Sequence, residues 1–335
     1  MKAVVLTETG GPENLEIQEI PTPEPGPGQV RVKIHAGALN RRDFWITRGL
    51  YPAIKLPAVL GSDGAGIIDK VGSGVDKHRT GEEVIIYPGF DWGDDPRVQS
   101  KNYRILGMPE QGTFAEYICV PAENIHPKPG HLDWGETAAF SLGALTAWRA
   151  MVTKAGIQPG EKVLVTGVGG GVATTIMVFS IAQGAEVYVT SGSDEKIARA
   201  ASLGARGGVN YRQDDWDAGL KKMCGGVDAV FDGNVGSIFQ PCLNVLNPAG
   251  RYIIYGGTRG NPPEGINIAR LFFNQFRIEG TTMGTPDEFA AMLAFVSDRK
   301  LKPVIDKTYV LEDAAAAHEY LGSGSQMGKV ILQII

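Results

Sequence analysis

The sequence predicts an α/β protein that combines a β-rich, barrel-like unit with a doubly wound, parallel, six-stranded sheet. Up to about Pro129 the chain consists of short strands separated by turns, and after about residue 150 strands alternate with helices. Its 335 residues exceed the size at which one hydrophobic core stops growing. We therefore expect two domains: residues 1–127 together with 286–335 form the barrel-like domain, and residues 128–285 form the doubly wound domain.

Six strands are predicted in the barrel-like unit, because short apolar runs there are bounded by glycine and proline. They are 2–8, 15–20, 29–39, 65–72, 82–88 and 113–121. Residues 127–151 have helical spacing and lead into the second unit. The tail contains a predicted helix at 286–300 and a terminal strand at 327–335, which we expect to pack back on the first domain.

The second unit is predicted to contain six strands with five helices between them. The strands are 162–167, 186–192, 208–211, 227–233, 251–257 and 276–284, and the helices are 172–184, 193–205, 214–226, 238–250 and 266–276. Short links between strands and helices require right-handed crossovers. The six strands should therefore form one parallel sheet covered by helices on both faces.

Charge and composition exclude several kinds of partner. The net charge of −5 removes the electrostatic argument for nucleic acid or an anionic membrane. No segment reaches the ~20 apolar residues needed to span a bilayer, and the N-terminus lacks a signal-peptide pattern. A cytoplasmic protein acting on a small-molecule substrate is expected. The three widely separated cysteines, Cys119, Cys224 and Cys242, are predicted to be buried thiols.

A glycine cluster directly follows the strand at 162–167 and opens the next helix, which is the context of a dinucleotide-binding loop. Gly167 would form the turn, and Gly170 and Gly171 would let the backbone approach a pyrophosphate. Val172 belongs to the same loop, and Ala173 would keep the helix close to the strand. The helix N-terminus would direct unpaired N–H groups at the phosphates.

The end of the following strand indicates which dinucleotide is bound. A site specific for NAD presents a carboxylate to the ribose, whereas this strand ends in Ser191 and Ser193. Lys196 follows, and Tyr211 and Arg212 end the third strand. Hydroxyl groups and a lysine suit the additional phosphate of NADP, so NADP(H) is the expected cofactor. The alternative for Lys196 is a solvated helix face.

Over essentially the whole chain, the sequence resembles the medium-chain dehydrogenase/reductase superfamily. The supporting stretches are LNRRDFWITRGLYP, LGSDGAGIIDKVGSGV, GTFAEY, GALTAW, GVGGGVA and MGKVIL. The resemblance implies a chaperonin-10-like β-barrel catalytic domain with the substrate site and a Rossmann domain, with the cofactor in the cleft between them. It also implies a homodimer, in which the strand at 276–284 pairs with its copy.

Many members of this superfamily are zinc alcohol dehydrogenases, whose metal is held by a C-x-x-D motif and a Gly-His-Glu motif. Here Asn40 replaces the cysteine before Asp43, and the second motif reads Gly-Ser-Asp, with Ser62 and Asp63. Amide and hydroxyl groups are poor zinc ligands. Residues 89–112 take the place of the structural zinc lobe but contain no cysteine. We expect no zinc, and Asp63 is interpreted as a polar wall residue.

The branch that this sequence resembles most is the zinc-independent quinone oxidoreductase-like group, whose pattern is matched by Asn40, Asp43, Arg48, Gly49 and Tyr51. By that resemblance, Tyr51 would hydrogen-bond the substrate oxygen and Asn40 would lie by the nicotinamide and the substrate. Tyr51 could instead be an aromatic residue at the barrel edge.

The remaining roles are also implied by the resemblance. Ser62 is counted with the catalytic group, Thr146 would support the nicotinamide, and Asn234 and Tyr255 would line the cofactor cleft. Lys329 would be close to the phosphates.

These expectations favour an NADPH-dependent, metal-free reduction of a quinone or a conjugated enone, whose delocalised charge makes hydride acceptance easier. A zinc-free alcohol dehydrogenase or carbonyl reductase and a non-catalytic NADPH-binding regulator are the alternatives. Arg41 and Arg42 are interpreted as solvated loop residues, and His131 and His318 as surface or helix residues. Aromatic side chains at three positions are left open between pocket floor and barrel core: Trp45, Phe90 and Trp92.

Overall fold

The computed structural model describes residues 1–262 and 266–335. The described chain divides into two compact units. Unit 1 comprises Met1–Leu145 and Gly284–Ile335, and unit 2 comprises Thr146–Met283.

The secondary-structure elements of the described residues are numbered in chain order. The strands are β1 (Lys2–Leu6), β2 (Leu15–Glu19), β3 (Gln29–Ala38), β4 (Ala58–Val59), β5 (Asp63–Val71), β6 (Glu83–Ile86), β7 (Gly89–Phe90), β8 (Arg104–Ile105), β9 (Tyr117–Pro121), β10 (Ile125–Pro127), β11 (Lys162–Val165), β12 (Glu186–Ser191), β13 (Gly207–Asn210), β14 (Val227–Asp232), β15 (Leu246–Ile254), β16 (Arg277–Gly280), β17 (Ile305–Val310) and β18 (Lys329–Gln333). The α-helices are α1 (Arg41–Thr47), α2 (Trp134–Ala138), α3 (Leu142–Trp148), α4 (Gly171–Ala182), α5 (Asp194–Ser202), α6 (Trp216–Cys224), α7 (Phe239–Val245), α8 (Ile268–Phe273), α9 (Pro286–Asp298) and α10 (Ala314–Ser323). A π-helical segment (Arg149–Ala155) continues α3.

Unit 1 is built on a seven-stranded sheet with the order β10-β6-β5-β3-β18-β17, in which β9 also pairs with β3. A three-stranded sheet, β2-β1-β4, stands beside it. The alternation of buried and half-buried residues along β3 fits a strand with one face on the core. The terminal strand β18 pairs antiparallel with β3, so the tail belongs to this unit.

The boundary between the units lies later than the one inferred from the sequence, which was 127/128. Residues 128–145 belong to unit 1 because α2 packs on β3, β5 and β18. Ala138 and Ala139 are buried there against alanines of the sheet, and such small side chains let the helix approach closely. The second boundary lies at Met283/Gly284 rather than at 285/286.

Unit 2 is a Rossmann fold, which confirms the predicted six-stranded parallel sheet. Its strand order is β13-β12-β11-β14-β15-β16, and every neighbouring pair is parallel. The strand order reverses between β11 and β14, which is the place where open α/β sheets bind their ligands. Val163, Leu164 and Val165 of β11 are fully buried, as expected for a strand covered on both faces.

Some elements differ from the sequence prediction. Helix α1 and the pair β17 and α10 were not predicted. The helix expected at 238–250 ends at Val245, since Leu246 already begins β15. Cys224 and Cys242 are buried thiols, but Cys119 is only half-buried because it lies on the partly covered strand β9.

No helix within 1–262 or 266–335 combines the length and the apolar character that a bilayer crossing requires.

Candidate active site

Helix α1 holds a group of polar side chains that would otherwise be expected at a surface. It begins directly after β3, and the N–H of Asn40 donates to Oδ2 of Asp43 at 2.7 Å. This contact ties the end of the strand to the first turn of the helix. Burial raises the pKa of the fully buried Asp43 carboxyl to about 6, although the nearby Arg42 guanidinium opposes the shift.

A buried ion pair lies next to this helix start. Nζ of Lys329 donates to Oδ2 of Asp63 at 2.8 Å, and the two side chains are only 3% and 0% exposed. The same ammonium donates to the carbonyl of Leu39 at 2.8 Å and to Oδ1 of Asn40 at 2.9 Å. Since an ammonium carries three protons, none is left for a phosphate. In this arrangement Lys329 serves the ion pair with Asp63, and its expected place close to the cofactor phosphates stays a prediction.

Asp63 and Asn40 are oriented by the same network. Oδ1 of Asp63 accepts the N–H of Leu142 at 2.9 Å, so both of its carboxylate oxygens are engaged. Because Oδ1 of Asn40 faces Lys329, its Nδ2 points away from the ion pair. This Nδ2 is buried and has no hydrogen-bond partner within the described chain. Unit 1 thus leaves this amide donor without a protein acceptor among the described residues.

Arg42 is buried, which corrects its interpretation as a solvated loop residue. Its side chain is only 9% exposed. The guanidinium donates to the carbonyls of Leu106 and Met108 at 2.8 and 2.9 Å, to Oγ of Ser62, and through Nε to the hydroxyl of Tyr51 at 3.3 Å. Its position is therefore set by acceptors on three different segments of unit 1.

Ser62 and Tyr51 contact this guanidinium in different ways. Ser62 is fully buried, and its hydroxyl donates to the carbonyl of Leu106 at 2.7 Å. It therefore holds Arg42 in place, and its expected membership of the catalytic group stays a prediction. Tyr51 is half-buried, and the Arg42 guanidinium lies 4.9 Å from its ring centroid.

The residues at the expected zinc position do not suit a zinc ion. Zinc is held by thiolate, imidazole or carboxylate ligands. Oδ1 of Asn40 and Oδ2 of Asp63 face the Lys329 ammonium, and the hydroxyl of Ser62 faces the Arg42 guanidinium. Within residues 1–262 and 266–335, no three His, Cys, Asp or Glu side chains form a group that could hold a metal. A divalent cation here would be repelled by two positive charges already present.

In unit 2, the glycine loop forms an open cradle at the N-terminus of α4. Gly167 has a φ of +62°, and a Cβ there would lie 2.7 Å from Nδ2 of Asn234. Gly170 is the N-cap of α4 and has no side-chain cap. A Cβ on Gly170 would have no neighbour closer than 3.8 Å. The cradle and the uncapped helix start therefore suit a pyrophosphate.

Asp232, which the sequence analysis did not single out, organises the loop opposite this cradle. The buried carboxylate accepts the N–H groups of Asn234 and Val235 at 2.8 and 3.0 Å, and the hydroxyl of Thr166 at 2.6 Å. The hydroxyl of Tyr252 donates to it as well. The sequence does contain one signal for this role of Asp232, namely a carboxylate at the end of an apolar strand.

The residues expected at the ribose end lie at the carboxyl ends of β12 and β13. Ser191 is buried, and Ser193 caps α5 by accepting the N–H of Lys196 at 3.3 Å. A Cβ on Gly192 would lie 2.9 Å from the hydroxyl of Tyr211 and 2.8 Å from Nε of Arg212. The absence of a side chain at position 192 thus permits these two side chains to come close to the strand end.

Arg259 is a further residue that sequence reasoning missed. Its guanidinium lies 4.7 Å from the Tyr211 ring centroid. Tyr211 follows β13, whereas Arg259 belongs to the segment after β15. The signal was weak, because a single arginine in a glycine-rich loop has no periodicity.

The other residues expected to bind the cofactor lie at separate positions in unit 2. Thr146 is buried in α3, and Gly171 and Val172 are the half-buried first residues of α4. Tyr255 follows β15 and packs over Gly233, where a Cβ would lie 2.5 Å from its ring. Burial raises the pKa of the Tyr255 phenol above its ordinary value. Five of the expected residues thus lie at or just after strand ends on the same edge of the parallel sheet: Gly167, Ser191, Tyr211, Asn234 and Tyr255.

Both units contain residues that match known protein families. Residues 26–130 match the alcohol dehydrogenase GroES-like domain, and residues 171–298 match the zinc-binding dehydrogenase family. Such domains define an oxidoreductase with an NAD(P)-binding Rossmann sheet. The chain belongs to the medium-chain dehydrogenase/reductase superfamily.

Individual relatives cover nearly the whole chain. The zinc-type alcohol dehydrogenase-like protein YogA of Leptosphaeria maculans is 37% identical, covering 96% of this chain and 94% of the relative. The quinone oxidoreductase of Rattus norvegicus is 32% identical, covering 99% and 97%. The crystal structure of an NAD-dependent alcohol dehydrogenase superposes with a TM-score of 0.94, is 39% identical and covers 100% of both chains.

Proposed function

We propose that this protein is an NADPH-dependent oxidoreductase that transfers a hydride to a quinone or a conjugated enone without zinc. The observation that carries the proposal is the donor cluster of unit 1. The hydroxyl of Tyr51 accepts from Arg42, and Nδ2 of Asn40 is buried without a partner in the described chain. The similarity to quinone oxidoreductases over 99% of the chain supports this substrate class.

Bound NADPH supplies the hydride from its nicotinamide ring. When a hydride reaches a conjugated acceptor, negative charge develops on the carbonyl oxygen. The Tyr51 hydroxyl donates a hydrogen bond to that oxygen, and the Asn40 amide is the second donor in this proposal. A conjugated acceptor delocalises the negative charge. Hydrogen bonds can therefore stabilise it sufficiently, whereas a simple ketone requires a Lewis acid for the same stabilisation. The proton that completes the reduction comes from solvent.

Unit 2 supports NADPH through its ribose end. Strand β12 ends in Ser191 rather than in a carboxylate, and Ser193, Lys196 and Tyr211 follow the ends of β12 and β13. Hydroxyl groups and a lysine suit an additional phosphate. The carboxylate of Asp194 accepts the side-chain amide of Asn210 at 2.9 Å. The NAD-dependent relative at 39% identity makes NADH the competing cofactor.

The test is a substrate panel with metal-depleted protein. Quinones, enones and simple ketones are each offered with NADPH or NADH, and oxidation of the nicotinamide is followed. We expect turnover of quinones or enones with a preference for NADPH. Turnover confined to simple ketones would favour the second candidate, a zinc-free carbonyl reductase. The similarity to relatives named as alcohol dehydrogenases supports that candidate. Tight NADPH binding without any turnover would indicate a regulator.

A further inference from the structure

We propose that Arg42 is a positioning residue that fixes the direction of the Tyr51 hydroxyl proton. This inference rests on the proposed function, in which Tyr51 donates to the substrate oxygen. The described hydrogen bonds and ring contact of Arg42 lie within unit 1.

The guanidinium has little freedom to move. Carbonyl acceptors at Leu106 and Met108 and the hydroxyl of Ser62 engage both of its terminal nitrogens. Ser62 is itself fixed by donating to the Leu106 carbonyl at 2.7 Å. A planar group held at several points presents its Nε–H in one direction. That N–H faces the hydroxyl of Tyr51 at 3.3 Å.

The chemistry of arginine determines what the Tyr51 hydroxyl can do. A guanidinium has five donors and no acceptor, and it stays protonated in proteins. The oxygen of Tyr51 must therefore accept from Nε, and its own hydrogen must point elsewhere. Within the described residues, this hydrogen has no acceptor. The contact thus selects the hydroxyl rotamer that donates to a group supplied from outside the protein.

The fixed charge also strengthens the donor. Arg42 is 9% exposed, so water screens its charge weakly. As negative charge develops on a substrate oxygen bonded to Tyr51, the phenol is polarised, and the adjacent guanidinium stabilises that polarisation. Arg42 thereby provides, through Tyr51, a positive charge at the end of the site where the zinc-binding motif of the alcohol dehydrogenases has been replaced.

A double-mutant cycle tests this inference. The variants are Arg42→Gln, Tyr51→Phe and the double variant, assayed with the best enone or quinone. We expect each single variant to lower kcat by at least about ten-fold, while the Kd for NADPH stays within about two-fold. The double variant should lose little beyond Tyr51→Phe alone, because Arg42 acts through Tyr51. Losses that multiply would overturn the inference.

Controls separate positioning from folding and from the proposed function. Arg299→Gln is a matched control, since Arg299 is exposed at the end of α9 in the same unit, and its activity should be unchanged. Where Arg42→Gln does not fold, Arg42→Lys keeps the charge but loses the planar fork, and it should fold and show the loss of Tyr51→Phe. An Arg42→Lys variant with the full kcat of the wild type would overturn the inference. An inactive wild type would overturn the proposed function and this inference with it.

Discussion

At the scale of single residues, one fully buried titrating group outside the candidate site is His318 on α10. Its ring is fully buried, its Nδ1 lies 2.7 Å from the Ala314 carbonyl, and its ring centroid is 5.7 Å from that of Phe114. Burial lowers the pKa of His318 to about 4, although the Ala314 carbonyl opposes the shift. The imidazole is therefore neutral in the folded protein.

His318 should make folding sensitive to acid. Its pKa is lower in the folded than in the unfolded chain, so the unfolded chain binds more protons between about pH 6.5 and 4. The stabilisation is complete above that window and is lost as the pH falls through it. Between pH 7 and pH 4, the wild type should lose on the order of 3 kcal/mol more unfolding free energy than His318→Gln. Denaturant unfolding at each pH measures this difference, and parallel curves for the two proteins would contradict it.

Some residue roles could be predicted from the sequence, and others could not. The positions of Asn40 and Tyr51 followed from a motif, since a motif fixes which residue types occur at which spacing. The burial of Arg42 did not, because its acceptors include backbone carbonyls more than sixty residues away. The contacts of Lys329 could not be predicted for the same reason: its partner Asp63 is 266 residues distant in the chain.

At the scale of elements, the proposed cofactor site depends on the glycine loop at the start of α4. Gly170→Ala adds a Cβ that would meet no protein atom closer than 3.8 Å, so the fold should tolerate it. The same Cβ would occupy the space in which a pyrophosphate approaches the backbone. We expect the Kd for NADPH to rise by about ten-fold or more, an effect of about 1.4 kcal/mol. Calorimetric titration measures it.

Gly219→Ala is the matched control for this variant. Gly219 lies in α6 of the same unit, and a Cβ there would have no neighbour within 4 Å. It should bind NADPH as the wild type does. If Gly170→Ala and Gly219→Ala bound NADPH with equal affinity, the glycine loop would not be part of the cofactor site.

Elements with strong local patterns were predictable, and elements without them were not. The central strands β11, β12 and β14 of unit 2 are buried apolar runs separated by helices, and this pattern implies a parallel sheet. The seven-residue helix α1 is too short to show helical periodicity, and its polar residues are held by distant partners. The start of β15 at Leu246 could not be predicted, because Asn247 and Pro248 in this strand are typical turn residues.

At the scale of the whole molecule, one surface indicates a second copy of this chain. Strand β16 is an edge of the unit 2 sheet, and among the described residues it pairs with β15 alone. Close to it in sequence, Phe272 and Phe273 of α8 are 59% and 76% exposed. An unpaired edge strand with exposed aromatic residues nearby is a liability unless another chain covers it. We propose a homodimer with β16 pairing across a two-fold axis.

This proposal predicts the effect of removing the aromatic pair. The wild type should sediment as a dimer, and the double substitution Phe272→Ser with Phe273→Ser should shift it towards monomer with unchanged circular dichroism. Leu203→Ser is the control, because Leu203 is also exposed but lies at the end of α5. A monomeric wild type, or a dimer that the substitutions leave intact, would exclude this interface.

The most direct measurement of the central claim follows the hydride itself. NADPH deuterated at the reactive nicotinamide carbon is incubated with the metal-depleted protein and a conjugated enone, and the product is analysed by mass spectrometry. The account predicts one deuterium on the product carbon, transfer that a chelator does not change, and a much lower yield with Tyr51→Phe. An unlabelled product, or transfer that appears only after zinc is added, would contradict it.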